Sequence, residues 1–172
     1  MTTQQTAPTG RHVVVGVDGS EPSKQALRWA QFLAQATAST IEAVAVWQPY
    51  IAYGGGWATV PADWNPAQDA ETNLTATIEA VFGQHRPAGL ELTVREGTAA
   101  RVLLDASQGA QMLIVGSRGH GGFTGLLLGS VSATCAEHAT CPVLVIHGDT
   151  PAPATPASTG PTGTPQPGPI LD

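Results

Sequence analysis

One feature constrains this chain above all. From Arg11 to Gly148, short runs of aliphatic, largely β-branched residues alternate strictly with helical patterns. Val13-Val14-Val15-Gly16-Val17 shows no polar–apolar alternation, as a strand covered on both faces requires. Ser20-Glu21-Pro22 follows: a capping residue, an acid in the first turn, and a proline whose missing N–H does no harm there. Ala26, Leu27, Ala30, Leu33 and Ala34 give the helix it opens an apolar face. Further strands are expected over residues 41–47, 90–94, 112–115 and 143–147. Further helices are expected around Leu74, Ile78, Val81 and Phe82, over 99–110 and over 130–138, with residues 48–65 as a loop. Five strands and four helices in alternation predict an α/β fold: a parallel sheet, right-handed crossovers and helices on both faces. Ligands of such sheets sit beyond the C-terminal strand ends, where the strand order reverses. Asp18, residues 46–49 and Gly116 onward occupy such places.

Residues 116–132 are the densest of these, with six glycines among seventeen residues between a buried strand and a helix. Gly116 and Gly119 are expected to let the backbone approach a ligand or take positive φ. Gly129 stands just before the last helix, and Ser130 is the expected N-cap. The N–H groups of residues 130–132 and the helix dipole then favour a phosphate, each first-turn charge interaction contributing about 0.3–1 kcal/mol. Ser130 and Ser132 are expected to add hydroxyl donors. The segment has no Gly-Lys-Ser/Thr, so it is not a Walker A loop. The dinucleotide fingerprint belongs after the first strand, where Gly16, Asp18 and Gly19 stand instead. Taken alone, the segment also fits a plain glycine-rich connection.

Composition narrows the partners. Thirteen acids face seven Lys and Arg, for a net charge of −6. Clustered cations that would neutralise a nucleic-acid backbone or an anionic membrane surface are missing. No run approaches the roughly 18 apolar residues of a membrane helix. Residues 1–10 are polar and lack a signal peptide's apolar segment, so a cytoplasmic protein is expected. Residues 149–172 carry seven prolines amid Thr, Ala and Gly; they are expected to be disordered or polyproline-like, either a docking arm or a solubilising extension. One domain over residues 11–148 remains, between a flexible N-terminus, 1–10, and that tail.

The spacing Gly116, two residues, Gly119, nine residues, Gly129-Ser130 resembles the nucleotide-binding signature of the universal stress protein family. Val15-Gly16-Val17-Asp18-Gly19-Ser20, Gly116-Ser117-Arg118-Gly119 and Cys141-Pro142-Val143-Leu144-Val145 agree with it, and the resemblance covers about residues 11–148. It implies a Rossmann-like fold of the adenine nucleotide alpha hydrolase-like kind, with strand order 3-2-1-4-5 and an ATP site between strands one and four. Carried over, Asp18 would face the ribose and adenine, and Val46 would meet adenine through its backbone. Gly116, Gly119, Gly129, Ser130, Val131 and Ser132 would line ribose and phosphates, with Gly16 and Val17 as the floor. Arg118 is a candidate phosphate contact, and Mg²⁺ would accompany the phosphates. The resemblance also implies a nucleotide-dependent stress-response regulator that pairs as a homodimer through the last strand, Val143 to His147.

Several residues carry a second reading. Asp18 either accepts from ribose hydroxyls or caps the turn at Gly19 and Ser20. Cys135, His138 and Cys141 have metal-like spacing, but a zinc site needs a fourth ligand, which His147 alone could supply; a buried Cys and a loop Cys are expected instead. Trp47, Tyr50, Tyr53, Trp57 and Trp64 gather in or beside one long loop, as a lid or as a satellite cluster. His120 and Thr124 lie in the glycine-rich segment, near phosphates or simply exposed. No Ser-His-Asp pattern surrounds Ser130, and Asp18 is the only acid near the mouth, so binding rather than turnover is expected. A weak ATPase or nucleotidyl-transfer activity, and binding of cyclic AMP in the same cradle, are the alternatives.

Overall fold

The computed structural model describes residues 11–49, 64–119 and 128–153. The expectations for residues 1–10, for Tyr50, Tyr53 and Trp57, for His120 and Thr124, and for the tail beyond 153 lie outside the described residues.

Nine elements follow in chain order: β1 (His12–Gly16), α1 (Glu21–Thr37), β2 (Thr40–Trp47), α2 (Pro66–Phe82), β3 (Leu90–Glu96), α3 (Ala99–Ala106), β4 (Met112–Gly116), α4 (Ser130–His138) and β5 (Val143–Ile146). The strands form one sheet of order β3-β2-β1-β4-β5, all neighbours parallel. Strand order reverses at β1, whose two neighbours are β2 and β4. The C-terminal ends of β1 and β4 therefore form the crevice in which such sheets take ligands.

Alternate residues of each strand feed two cores. On one face Val13, Val15, Ile41, Ala43 and Ile114 pack with Ala26, Leu27 and Ala30 of α1 and with Leu74 and Ile78 of α2. On the other, Val14, Val44, Leu113 and Val115 pack with Val102 and Leu103 of α3 and with Cys135 of α4. Having two apolar faces explains why the strands read as continuous aliphatic runs.

One helix boundary fits the sequence expectation and one differs. α2 begins directly after the expected loop 48–65, where Asn65 caps it by accepting from the Gln68 N–H at 3.2 Å, ahead of a proline. This repeats the arrangement at α1, where Ser20 Oγ accepts from the Ser23 N–H at 3.3 Å. The third helix stops at Ala106 rather than 110. Ser107 Oγ donates to the Leu104 carbonyl at 3.0 Å, and Gly109 takes a left-handed φ of 77°, which turns the chain into β4.

Cys135 seats α4 on the sheet and is fully buried. Burial pushes its thiol pKa from 9.0 up to about 11. The unfolded chain releases this proton near pH 9.0 while the folded chain retains it to about 11, so the stabilisation is complete below pH 9 and declines above it. Urea unfolding is expected to lose roughly 2–3 kcal/mol more between pH 9 and 11 in the wild type than in Cys135→Ala. Equal slopes in the two proteins would refute that assignment. Among the described residues no group of three or more His, Cys, Asp or Glu could hold a metal ion. Among them, too, no helix is long and apolar enough to cross a membrane.

Candidate functional site

Beyond the ends of β1, β2 and β4 the molecule has a cavity of about 350 Å³. That volume lies within the ~300–1,000 Å³ typical of small-molecule sites. All eleven residues singled out from sequence line it. Gly16, Val17 and Asp18 come from the end of β1, Val46 from β2, and Gly116, Arg118 and Gly119 from the exit of β4. Gly129, Ser130, Val131 and Ser132 form the opening of α4. The sequence reading missed Ala99 and Leu103 of α3, which stand one helical turn apart and form an apolar wall with Val44 and Val115, and Ser23 of α1.

The cap of α4 differs from expectation. Gly129 is the N-cap, with φ −71° and ψ 158°, and Ser130 is already the first helical residue. The first helical bond runs from the Ala133 N–H to the Gly129 carbonyl at 2.9 Å. The N–H groups of Ser130, Val131 and Ser132 thus precede the ladder, and among the described residues no side chain caps them. The Gly129 N–H donates to the Ser117 carbonyl at 2.7 Å, which fixes the helix end to the exit of β4. Ser132 Oγ donates to the Gly116 carbonyl at 2.6 Å, so its proton is committed to the strand end rather than offered to a ligand. Arg118, exposed, is the one basic side chain among the described lining residues. Helix terminus and guanidinium make this end of the cavity electropositive.

The other end is framed by β1 and β2. The Val17 N–H donates to the Val44 carbonyl, and the Gly97 N–H beyond β3 donates to the Trp47 carbonyl, both at 2.9 Å. Main-chain groups of Val44 therefore face β1 and those of Trp47 face β3. By the alternation of a parallel ladder, Val46 also faces the side of β1. Pairing with β1 ends at Gly16, opposite Val44. At the level of Val46 the N–H and C=O point to where β1 has turned away, beside the cavity that Val46 lines. One donor and one acceptor along a strand edge suit a planar heterocycle bearing the complementary pair.

Asp18 serves the turn. Its Oδ1 accepts from the Ser20 N–H at 3.0 Å and from Ser20 Oγ at 2.6 Å, while Gly19 takes φ 85°. Its Oδ2 lies over Gly119, where an added Cβ would come within 2.5 Å. Asp18 thereby sits between the exit of β1 and the exit of β4.

The glycines divide by cause. A Cβ on Gly116 would meet Pro22 Cβ at 2.7 Å, the Pro22 carbonyl carbon at 2.9 Å and the Ser23 nitrogen at 3.0 Å. Gly116 is thus small so that the first turn of α1 can pack on β4, not so that a ligand can approach. At Gly129 the nearest atom to an added Cβ is the Ser117 oxygen at 3.4 Å, an ordinary contact.

With this geometry in view, comparison with known proteins is specific. The universal stress protein family model matches residues 10–147. A universal stress protein of Mycolicibacterium smegmatis is 33% identical over 144 residues, covering 80% of this chain and 48% of that protein. One of Mycobacterium tuberculosis is 34% identical over 163 residues, covering 86% of this chain and 51% of that protein. The chain spans about half the length of these curated relatives. Among solved structures, UspA from Lactobacillus plantarum shares the fold with a TM-score of 0.63 at 20% identity, over 79% of this chain and 97% of that one. A universal stress protein solved in complex with cAMP superposes with a TM-score of 0.54 at 25% identity, over 84% and 100%. The signature spacing, the sheet order and the family match converge: the chain belongs to the universal stress protein family.

Proposed function

We propose that this protein binds an adenine nucleotide in the cavity above β1 and β4 and acts as a nucleotide-dependent regulator in a stress response, without designed turnover. One observation carries the reading. The N–H groups of residues 130–132 ahead of the α4 ladder, Arg118 and the Val46 edge of β2 converge on one space of about 350 Å³. Phosphates belong at the electropositive α4 terminus, and the base at the Val46 edge against the wall of Ala99 and Leu103. ATP is the ligand proposed. Mg²⁺ would be carried on its phosphate oxygens with water, because Asp18, the one carboxylate among the described lining residues, already accepts two hydrogen bonds through Oδ1. The same commitment weighs against Asp18 as a catalytic base for ATP hydrolysis or nucleotidyl transfer. Cyclic AMP is the second reading, favoured by the cAMP complex of the 25% identical relative.

Regulation needs two assemblies or conformations that bind nucleotide unequally. The proposed assembly is a twofold dimer through residues 143–147, because β5 is an edge strand with half-buried Val143, Leu144 and Val145. Calorimetric titration with ATP, cyclic AMP, adenosine and GTP, run beside sedimentation, tests both parts. ATP is expected to bind at least about tenfold tighter than adenosine or GTP, a gap of ~1.4 kcal/mol or more, to a protein sedimenting as a dimer. Equal affinity for adenosine would remove the phosphate cradle, and a monomer throughout would remove the β5 interface.

A further inference from the structure

We propose, on the reading of the first cavity as an adenine nucleotide site, that a second and smaller cavity is its annex: it takes a short polar substituent carried on N6 of the base, and Asn73 reads that group. The second cavity measures about 120 Å³ and lies between the strand ends and the first half of α2. It is below the ~300–1,000 Å³ of a site that takes a whole small molecule. At ~30 Å³ per water in the liquid, it has room for a group of about four non-hydrogen atoms. Val17, Asp18 and Val46 line both cavities. Of the walls that are not shared, Val44, Leu103 and Val115 belong to the core under α3 and α4, whereas Ala45 and Leu74 belong to the core under α1 and α2. The two spaces therefore flank the exit of β1 from opposite faces of the sheet and adjoin at Val46, beyond the last pair of β1 with β2.

Val46 offers a base one main-chain donor and one acceptor. Adenine meets such a pair with its N1 acceptor and its N6 donor. The Val46 carbonyl then takes one N6 hydrogen, and the other position on N6 stands beside the residue of β2 that both cavities share. A substituent at that position has the second cavity in front of it. Ala70, Asn73 and Leu74 stand at i, i+3 and i+4 and so share one face of α2. Leu74 and Ala45 are buried and make the floor apolar. Asn73 is exposed and stands at the rim. Its carboxamide lies against Gly19, where an added Cβ would come within 2.8 Å of Oδ1 and 3.3 Å of Nδ2. A carboxamide both donates and accepts, so it suits a hydroxyl at the end of the substituent. The described lining holds the Asp18 carboxylate and no cation, which disfavours an anionic group.

Calorimetric titration of the full-length chain with ATP, N6-(2-hydroxyethyl)-ATP and its isostere N6-propyl-ATP tests this. The hydroxyethyl compound is expected to bind at least as tightly as ATP, and about fivefold tighter than the propyl compound, the contribution of one hydrogen bond. Ala70→Leu fills the second cavity from a residue that does not line the first. It should keep ATP affinity within about threefold and weaken the hydroxyethyl compound at least about tenfold. Asn73→Leu should erase the difference between the two substituted compounds, again with ATP within about threefold. Wild-type protein that binds ATP but takes the hydroxyethyl compound about tenfold more weakly, or worse, would overturn the annex and leave the nucleotide reading standing. A hydroxyethyl compound that Ala70→Leu does not weaken would place the substituent elsewhere and overturn it too. A hydroxyethyl preference that survives Asn73→Leu would overturn the role of Asn73. No binding of ATP by the wild type would overturn both the annex and the nucleotide reading.

Discussion

Gly129→Asp is expected to leave the fold as stable as the wild type, or more stable by about 0.3–1 kcal/mol, while weakening ATP binding at least about 100-fold. The opposite signs follow from one position. Gly129 has the extended backbone of an N-cap, and a Cβ there makes only ordinary contacts, the closest at 3.4 Å. An aspartate fits without strain, and its carboxylate can accept from the N–H groups of α4 that no described side chain caps. It also places a negative charge where the proposed phosphate sits. Like charges brought together in a binding site cost several kcal/mol, and ~2.8 kcal/mol is already 100-fold. Gly129→Asn separates the effects, since it caps without charge; a smaller loss, of about tenfold, is expected. Thermal unfolding and calorimetry on the three proteins decide it. ATP affinity within threefold of wild type in Gly129→Asp would place the phosphates elsewhere.

Gly116→Ala is expected to cost about 2–3 kcal/mol of stability, although alanine adds a single carbon. The new Cβ would lie 2.7–3.0 Å from Pro22 and Ser23, whose carbonyl carbon and nitrogen are main-chain atoms of the first turn of α1. No rotamer relieves a clash with backbone, so α1 must lift from β4, and overpacking of this kind costs ~1–3 kcal/mol. The Gly116 carbonyl also accepts from Ser132 Oγ, so a shifted strand end disturbs the α4 opening as well. Nucleotide binding should fall with stability here, whereas in Gly129→Asp the two separate. Gly119→Ala is the control. Its Cβ would meet a side-chain carboxylate, that of exposed Asp18, rather than main chain, and a loss of about 1 kcal/mol, smaller than for Gly116→Ala, is expected. A urea midpoint for Gly116→Ala within error of wild type would contradict the packing role.

The alternation of elements was legible because Val13-Val14-Val15 and Leu113-Ile114-Val115 are buried on both faces and must be apolar throughout. Strand order was not: nothing local says that β4 lies beside β1, and the order came from the resemblance. The end of the loop at residue 65 was legible, since Asn65-Pro66 uses the same cap-then-proline arrangement as Ser20-Glu21-Pro22; the end of α3 was not, because the turn at Ser107 and Gly109 follows a run that still reads as helical. The lining from β1, β4 and α4 was visible as glycines and small polar residues at strand ends. The wall of Ala99 and Leu103 was not, because a helix face looks the same in sequence whether it meets a core or a cavity. Gly116 marked the right place for a different reason, as its partner Pro22 is distant along the chain. Likewise, sequence cannot reveal that the Ser132 hydroxyl bonds to the Gly116 carbonyl.

The most direct measurement follows the amide resonances of Ser130, Val131 and Ser132 as ATP and then adenosine are added to the wild-type protein. ATP should shift all three together with Val46, to a common saturation point, whereas adenosine should move Val46 and leave the α4 amides in place. Saturation by ATP with those three amides unmoved would show that the helix opening does not hold the phosphates.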